Sequence, residues 1–326
     1  MEINTIKKKL FKLKNLSIDE SLFLFEEIME GKLNEIDLSG ILISLKNKGE
    51  TKEEILGATK IMRSKSLQLS YIGNTVDTCG TGGDMSETLN ISTAASLVAA
   101  SCGVKVAKHG NKSVSSRSGS ADMLEHIGYK FSNEIRELEK QLNENNFCFM
   151  FAQYHHSAMK HVINVRKTLA TRTIFNLLGP LTNPANAKNQ LLGVYDKKWL
   201  TTHCETLKEL GSQNVLIVHG CDGLDEITLT NNTLISELKN NKISNYTFDP
   251  REIGYEYISL EDIKGSDPQY NADCFLKMIN GNHKKFQKIV EINAGAALYL
   301  AGMAKNIKEG TEIVKKTINE GKTKNL

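Results

Sequence analysis

The sequence has no closely spaced cysteines and no long apolar run. Its six cysteines form no CxxC pair, which argues against a zinc site or a disulfide framework and favours a reducing compartment. No segment approaches the ~20 consecutive apolar residues that a membrane-spanning helix needs. The basic start, "MEINTIKKKLFKLKNLS", lacks the apolar stretch of a secretory signal. We therefore expect a soluble, cytoplasmic protein.

The chain also lacks a large excess of charge of either sign. Its formal net charge is +3, 24% of its residues are charged and 40% are hydrophobic. A balance this even gives no electrostatic reason to expect binding to nucleic acid or to an anionic membrane. The composition is that of an ordinary globular protein, and a chain of 326 residues is long enough for roughly two domains.

Residues 1–66 carry helical patterns throughout. The segment "SIDESLFLFEEIMEGKL" begins with Ser17 and Glu20 at capping-box spacing, repeats apolar residues at helical intervals and stops at Gly31. Two further segments repeat this arrangement, and no strand pattern interrupts them. The sequence therefore predicts a small helical domain over residues 1–70.

The pattern changes at residue 76, after which short apolar runs alternate with helical patterns to about residue 220. Such alternation is typical of a largely parallel sheet covered by helices. Residues 228–292 read as mixed polar strands and loops, and residues 292–307 as a closing helix. The predicted fold class is α/β: a small N-terminal helical domain plus a large α/β domain over residues 71–326 with a mostly parallel central sheet.

The stretch "GTGGD" at residues 80–84 places glycines directly after a predicted strand, and "NIST" then leads into an Ala-rich helix. Bare backbone beside helix N-terminal amides lets a phosphate approach closely. Asn90, Ser92 and Thr93 are good N-cap types as well, so a tight capped turn is the alternative. A dinucleotide site fails on spacing, because the Rossmann fingerprint needs a glycine where Met85 stands and no GxxxxGK[ST] occurs.

A second loop, "KHGNKSVSSRSGSAD", follows one strand–helix–strand unit later. It supplies the cations Lys108, Lys112 and Arg117 together with several serines. A parallel connection puts both loops at the carboxyl edge of the sheet, where ligands bind in open α/β folds. Cations, hydroxyls and bare backbone together suit a ligand with more than one phosphate, whereas a flexible solvated loop is the alternative interpretation.

Two further segments carry charged side chains that suit ligand binding. In "VHGCDGLDEITL" a predicted strand ends at Asp222, Asp225 and Glu226, and adjacent carboxylates suit a hard divalent cation such as magnesium. A solvated turn has the same composition. In "NVRKTLATRTIFNLLGPLTNPA" a predicted helix carries Arg166, which is either a surface charge or the fork that binds an organic carboxylate.

With these four motifs together, the chain resembles the anthranilate phosphoribosyltransferase family of tryptophan biosynthesis. The strings "GTGGD", "NIST", "KHGNKSVSSRSGSAD", "FNLLGPLTNP" and "DGLDE" occur in the family's order over nearly the whole chain. The resemblance implies transfer of the 5-phosphoribosyl group of phosphoribosyl pyrophosphate (PRPP) to the amine of anthranilate, giving N-(5-phosphoribosyl)anthranilate and pyrophosphate. It also implies that a helical segment near residues 160–185 joins the small domain to the large one. It further implies a homodimer through the helical domain, with the active site in the cleft between domains.

The resemblance further implies site residues by their positions in the motifs. The PRPP-binding residues lie in the two glycine-containing loops and are Gly80, Gly83, Asp84, Thr88, Asn90, Ile91, Ser92, Thr93, Lys108, His109, Gly110, Asn111, Lys112, Ser113, Val114, Ser115, Ser116 and Ser120. Two magnesium ions would be bound by Ser92, Asp225 and Glu226. Anthranilate would place its carboxylate on Arg166, and the residues around it would be Gly80, His109, Asn111, His156, Arg166 and Gly179. No catalytic residue is assigned.

At a few positions the chain departs from the family pattern. Gln153 and Ser157 stand where the family commonly has prolines, Ala170 stands where a glycine is common, and Lys112 stands where arginine is frequent. We expect no fused glutamine amidotransferase domain, since residues 1–326 are taken up by the two predicted domains. We therefore expect ammonia chemistry to belong to another protein and expect a functional link to anthranilate synthase.

Two other functions stay open at this point. A pyrimidine nucleoside phosphorylase shares the architecture and a glycine-rich phosphate loop, although the acidic loop at 222–226 favours PRPP. A non-catalytic relative that binds nucleic acid would show strongly salt-dependent binding and usually a larger positive charge than +3. We therefore expect PRPP and anthranilate as ligands, and neither nucleic acid nor a membrane as a partner.

Overall fold

The computed structural model describes residues 1–71, 73–112 and 117–325. Within these residues the α-helices are α1 (Ile3–Leu10), α2 (Ile18–Met29), α3 (Glu35–Lys48), α4 (Lys52–Ser64), α5 (Ile91–Ser101), α6 (Ser120–His126), α7 (Ile135–Asn145), α8 (Ala152–His155), α9 (Lys160–Leu169), α10 (Ile174–Leu178), α11 (Trp199–Glu209), α12 (Pro268–Ile279), α13 (Lys284–Leu300) and α14 (Ile307–Asn319). The strands are β1 (Val76–Asp77), β2 (Val106–Gly110), β3 (Phe147–Phe151), β4 (Asn189–Gly193), β5 (Asn214–Gly220), β6 (Thr233–Lys239) and β7 (Lys242–Phe248). Short 3-10 helices cover Ser157–Met159, Gly179–Thr182, Pro250–Ile253, Leu260–Ile263 and Lys322–Asn325.

Helix α2 begins at the cap that the sequence predicts. The Ser17 hydroxyl accepts from the N–H of Glu20 at 3.2 Å, and the Glu20 carboxylate accepts from the N–H of Ser17 at 2.7 Å. This reciprocal pair satisfies two amides that the first turn of α2 leaves without helical partners. After α2 the chain turns at Gly31, whose φ of +70° suits a residue without a side chain. The predicted capping box is confirmed.

The strands form one sheet in the order β3-β2-β1-β4-β5-β6-β7. The first five strands along the chain pair in parallel, and β6 and β7 continue the sheet as antiparallel strands. The predicted mostly parallel sheet is therefore confirmed. Because β1 lies between β2 and β4, the loops that follow these three strands share the carboxyl edge of the sheet.

The prediction for the last third of the chain was incomplete. Residues 228–292 contain β6 and β7 but also α12, which begins at the N-cap Asp267 with Pro268 in its first turn. The predicted closing helix is wrong in its position: α13 starts earlier, ends before Gly302 at φ +77°, and is followed by α14. The polar residues of α12 obscure its helical periodicity in the sequence. Asp267 and Pro268 are nevertheless a helix start signal that the sequence contains.

Two large buried clusters flank the sheet. One packs α5, α12, α13 and α14 against strands of the sheet. The other joins α1–α4 to α9–α11 and to side chains of β4 and β5. In it the rings of Phe25 and Phe175 meet edge to face at 6.0 Å between centroids. The N-terminal helices thus share their core with the segment near residues 160–185, and the domain limits at 70 and 71 remain a prediction. In the described part of the chain, no helix combines the length and the apolar character that crossing a membrane requires.

Candidate active site

The acidic loop contacts the glycine loop at the carboxyl edge of the sheet. The Asp225 carboxylate accepts from the N–H of Gly82 at 2.8 Å. The adjacent Glu226 carboxylate accepts from the N–H of Ser92 at 3.1 Å, in the first turn of α5. One backbone amide of the glycine loop and one amide in the first turn of a helix therefore donate to two neighbouring carboxylates.

Burial and mutual repulsion perturb both carboxylates. Burial, with the charge of Asp84 as the next cause, raises the pKa of Asp225 to about 7. Burial and the charge of Asp225 raise the pKa of Glu226 well above its ordinary value. Like charges held together away from water destabilise each other unless a cation offsets them. This edge of the sheet is therefore electrostatically prepared for a positive ligand.

These side chains fit magnesium in their chemistry. Carboxylates and the hydroxyl of Ser92 are the hard oxygen donors that magnesium prefers, and magnesium usually keeps waters and binds substrate phosphates in addition to one or two carboxylates. The described residues contain no group of three or more His, Cys, Asp or Glu side chains arranged to hold a metal ion. Oxygen atoms of a phosphate ligand would thus have to complete the coordination of ions bound by Ser92, Asp225 and Glu226.

Asp222, the third acid of this loop, faces another way. Its carboxylate accepts from the Thr228 hydroxyl at 2.5 Å and from the Thr230 hydroxyl. It also accepts from the N–H of Leu224 at 3.1 Å. The structure therefore gives Asp222 the role of shaping the turn that presents Asp225 and Glu226.

Gly193, at the end of β4, allows the acidic loop to approach. A Cβ at this position would collide with the backbone carbonyl of Asp225. The carbonyl of Gly193 itself accepts from the N–H of Thr81 at 2.8 Å, which ties the glycine loop to the same point. Three elements therefore meet at a residue that has no room for a side chain.

We expect Gly193→Ala to lower the free energy of unfolding by roughly 2 kcal/mol or more, because a backbone segment rather than a flexible side chain has to move. Urea unfolding at pH 7.5 measures the change. Gly179→Ala is the control, because no atom lies within 4 Å of a Cβ built at Gly179. Equal stability of the two variants would contradict the close approach.

Lys108 is a buried cation beside these acids. Its side chain is 1% exposed, and its ammonium donates to the carbonyl of Thr78 at 3.0 Å and to the Thr78 hydroxyl at 3.1 Å. Next to it, burial raises the pKa of Asp77 to about 6 although the charge of Lys108 opposes the shift. The Asp77 carboxylate accepts from the N–H of His109 at 3.1 Å. These contacts of Lys108 and Asp77 therefore hold the end of β2 against the end of β1, at the edge of the sheet where the site lies.

A pair of neutral histidines lies beside the site. The rings of His109 and His156 are 5.2 Å apart between centroids, and Nδ1 of His109 lies 3.1 Å from the carbonyl of Gly179. Burial lowers the pKa of His156 to about 4 and that of His109 well below its ordinary value. Within the described residues, Nε2 of each ring is buried without a hydrogen-bond partner. Two imidazole nitrogens are therefore available to a ligand.

The low pKa of His156 predicts that the free energy of unfolding depends on pH. A histidine in the unfolded chain has a pKa near 6.5, whereas the pKa of His156 in the folded protein is about 4. Below pH 6.5 the unfolded chain therefore binds a proton that the folded protein does not, and the free energy of unfolding falls. Between pH 7 and pH 4.5 the wild type should lose about 2–3 kcal/mol more unfolding free energy than His156→Asn. Urea unfolding at both pH values tests this. Parallel losses in the two proteins would mean that His156 titrates normally.

Arg166 is a half-buried cation on α9. Its guanidinium carbon lies 5.5 Å from the centroid of the Phe175 ring, and burial lowers its pKa. Among the described residues no carboxylate forms an ion pair with it. A desolvated guanidinium that stacks on an aromatic ring is suited to an external carboxylate. Ala170, at the end of this helix, has φ +45°, a left-handed conformation that glycine adopts at lower cost.

Asn111 and Asn90 hold different contacts. The side-chain oxygen of Asn111 accepts from the side-chain amide of Gln153 at 3.3 Å. Gln153, which departs from the family pattern, therefore contacts a residue that is predicted to bind anthranilate. Asn90 is the N-cap residue of α5, as the alternative of a capped turn has it, but its side chain does not accept from an amide of the first turn. The Asn90 amide instead donates to the carbonyl of Ser118 at 3.2 Å and accepts from Asn271 at 2.8 Å. It bridges the second loop to α12.

The remaining predicted residues lie along the two loops. Lys112 pairs with Glu125 at 2.9 Å, so this predicted phosphate cation is engaged at the surface. Thr88 forms an isolated bridge with Lys264. Residues that complete these loops at the sheet edge are Gly80, Gly83, Asp84, Ile91, Thr93, Gly110 and Ser120. Four predicted residues fall outside the described ranges and are Ser113, Val114, Ser115 and Ser116.

Comparisons with known proteins match nearly the whole chain. The "glycosyl transferase family, helical bundle domain" matches residues 4–66, and the "glycosyl transferase family, a/b domain" matches residues 72–324. Anthranilate phosphoribosyltransferase of Thermoanaerobacter sp. (strain X514) is 44% identical over 315 residues, which cover 96% of this chain and 93% of that protein. The chain belongs to the anthranilate phosphoribosyltransferase family.

Solved structures of family members agree. The anthranilate phosphoribosyltransferase of Thermus thermophilus superposes with a TM-score of 0.91 at 36% identity, over 98% of this chain and 95% of that one. The Saccharomyces cerevisiae enzyme in complex with PRPP and Mg gives 0.87 at 26% identity, over 99% and 95% of the two chains. The same yeast enzyme in complex with 4-fluoroanthranilate gives 0.87 at 25% identity, over 98% and 94%. The predicted fold class and family are both confirmed.

Three residues near the site of this family member escaped the sequence analysis. Gly193 stood inside an apolar run as an ordinary strand glycine. Asn271 gave no signal, because its contact with Asn90 joins positions far apart in sequence. Arg172 stood only six positions after Arg166 in the same motif, and a second arginine in a segment predicted to face a ligand was the available signal.

Proposed function

We propose that the chain transfers the 5-phosphoribosyl group of PRPP to the amine of anthranilate, releasing pyrophosphate, as its named relatives do. The observation that carries this proposal is the contact of two perturbed carboxylates, Asp225 and Glu226, with a glycine loop and a helix N-terminus. That combination of a cation site with phosphate-binding backbone suits a pyrophosphate ester. It does not suit a ligand without phosphate.

The donor site in this proposal follows the two loops. We assign PRPP to the backbone of the glycine loop, to the first turn of α5 and to the second loop that begins at Lys108. The ammonium of Lys108 has two acceptors in place and keeps a third N–H for a ligand. Two magnesium ions are proposed on Ser92, Asp225 and Glu226. When bound, magnesium neutralises charge on the pyrophosphate.

The acceptor site lies on the α9–α10 side. We assign the anthranilate carboxylate to Arg166, and its ring to the surface formed by His109, His156 and Gly179. The contact of His109 with the Gly179 carbonyl at 3.1 Å joins this surface to the end of β2. Arg166 is half-buried, and its desolvation strengthens attraction for an anion. The donor and acceptor groups therefore flank the same strand end.

The chemistry asks for positioning rather than for an activated nucleophile. The lone pair of the anthranilate amine forms the bond to C1 of the ribose, the C1–oxygen bond breaks, and its electron pair leaves with pyrophosphate. The nitrogen, which is positively charged after the attack, then loses one proton to the solvent. An arylamine is neutral near pH 7, so holding it in line with C1 is the main task of the protein. The lowered pKa of His109 and His156 keeps these rings uncharged, so that they do not repel the positive charge that develops on the sugar.

Other properties remain part of the proposal. We propose a small helical domain over residues 1–70 and a large domain over 71–326, with a homodimer formed through the helices. Exposed apolar side chains on α3 and near α1, such as Ile36 at 85% and Phe11 at 54% exposure, support an interface there. We also propose a cytoplasmic location, supported by six unpaired cysteines, and a functional link to anthranilate synthase as the supplier of the acceptor.

The experiment follows the fluorescence of anthranilate with purified protein, PRPP and magnesium, coupled to the next enzyme that consumes the product. The expected result is a loss of fluorescence that requires both PRPP and magnesium. Binding of PRPP without consumption of anthranilate would support the proposed donor site and would show that anthranilate is not the acceptor substrate. Phosphorolysis of thymidine or uridine without magnesium would support the phosphorylase alternative instead.

A further inference from the structure

Arg172, in the turn between α9 and α10, contacts the glycine loop from outside. Its guanidinium donates to the carbonyl of Gly82 at 3.4 Å and to the carbonyl of Gly83. Its guanidinium carbon lies 3.6 Å from the centroid of the Tyr195 ring, so the planar group is stacked. No carboxylate among the described residues pairs with Arg172. The guanidinium is thus used on backbone carbonyls.

These contacts fix the orientation of two peptide planes. Gly82 and Gly83 have φ values of +64° and +73°, a conformation open mainly to glycine. In a trans peptide the N–H points opposite to the carbonyl. Because the carbonyls of Gly82 and Gly83 face Arg172, the N–H groups of Gly83 and Asp84 face away from it. Among the described residues neither N–H donates a hydrogen bond, which leaves both for an anion, as in backbone nests that bind phosphate.

The support under Arg172 is itself fixed. The N–H of Tyr195 donates to the Thr81 hydroxyl at 3.1 Å, and the Tyr195 hydroxyl accepts from the Trp199 indole at 3.2 Å. The glycine loop and the ring that carries the guanidinium are therefore parts of one assembly. A Cβ at Gly83 would collide with Arg172, which shows how closely the guanidinium approaches the loop.

We infer that Arg172 is a positioning residue for the donor site: it clamps the Gly82 and Gly83 carbonyls so that the amides of Gly83 and Asp84 are preorganised for a pyrophosphate. The inference rests on the proposed function for the identity of that ligand. Since Arg172 lies six residues after Arg166 on one continuous segment, the clamp also joins the acceptor helix to the donor loop.

The first test measures the clamp without any ligand. Hydrogen exchange of the full-length protein, read by mass spectrometry over residues 79–90, should show faster exchange of the loop amides in Arg172→Ala. Arg136→Ala removes an exposed arginine from α7 and serves as the control with unchanged exchange. Unchanged exchange in Arg172→Ala would overturn the inference whatever the protein binds.

The second test measures the consequence for the donor. Calorimetry with PRPP and magnesium should give an affinity about tenfold weaker in Arg172→Ala, as expected for the loss of hydrogen bonds to a charged donor. The KM for anthranilate at saturating PRPP should stay nearly unchanged. Millimolar guanidinium ion should restore part of the affinity, and Arg172→Lys should restore less because it lacks the planar fork.

The outcomes separate the two claims. Weaker PRPP binding without a change in loop exchange would mean that Arg172 contacts the phosphate directly, and would overturn the positioning role. A wild type that binds no PRPP would defeat the proposed function, while the exchange result would still decide the clamp. Equal losses for PRPP and anthranilate would point to a general structural defect and would also contradict the inference.

Discussion

Asp225→Asn is expected to lower kcat/KM for PRPP by about a thousandfold, because a ligand carboxylate of the proposed magnesium site contributes several kcal/mol of charge stabilisation to the leaving group. The fold should not suffer. Asp225 is half-buried next to Asp84 and Glu226, and desolvation together with repulsion from Asp84 raises its pKa to about 7. An asparagine keeps an oxygen for the N–H of Gly82 and removes one of the neighbouring like charges.

The opposite directions of the two effects make this variant informative. Urea unfolding at pH 8 should give Asp225→Asn a stability equal to or above that of the wild type, while PRPP-dependent turnover collapses. Glu226→Gln should behave in the same way. Asp249→Asn is the control, since Asp249 pairs with Arg251 on the surface at 2.6 Å. Loss of activity that tracks loss of stability would contradict a direct role for the acidic pair.

Arg166→Ala should raise the KM for anthranilate by about a hundredfold, because it removes a charge-assisted, two-point contact from a half-buried site. The KM for PRPP should change little, since Arg166 lies on α9 and no contact joins it to the glycine loop among the described residues. Arg166→Lys keeps the charge but lacks the planar guanidinium, so its KM for anthranilate should lie between those of the wild type and Arg166→Ala.

Steady-state kinetics with each substrate varied at saturating concentrations of the other separates the constants. Thermal unfolding of Arg166→Ala should remain close to that of the wild type, because the side chain stacks on Phe175 at 5.5 Å without an ion pair in the described residues. If the variant raises both KM values equally, Arg166 has no specific place in the acceptor site.

Local signals in the sequence were sufficient for the fold class and for the N-terminal cap of α2. Ser17 and Glu20 sit three positions apart, so a capping box is readable from spacing alone, and the structure contains it. The alternation of apolar runs and helical patterns predicted a mostly parallel sheet, and the strand order confirms it. Patterns of this kind depend on neighbours within one or two turns of chain.

Contacts between distant segments were not readable. Gly193 is indispensable only because the carbonyl of Asp225 approaches it, and nothing in the strand around Gly193 encodes that approach. Asn90 looked like a helix cap, yet its side chain is committed to Ser118 and Asn271 across the fold. Side-chain partners are decided by tertiary packing, which overrides local preference at functional sites.

The most direct test of the central claim counts pyrophosphate released against anthranilate consumed in the same quenched reactions, with PRPP and magnesium present. The account predicts that one pyrophosphate is released for each anthranilate consumed and that mass spectrometry detects N-(5-phosphoribosyl)anthranilate. Neither product should form without magnesium. Pyrophosphate release without consumption of anthranilate, or consumption of neither substrate by a folded protein, would contradict it.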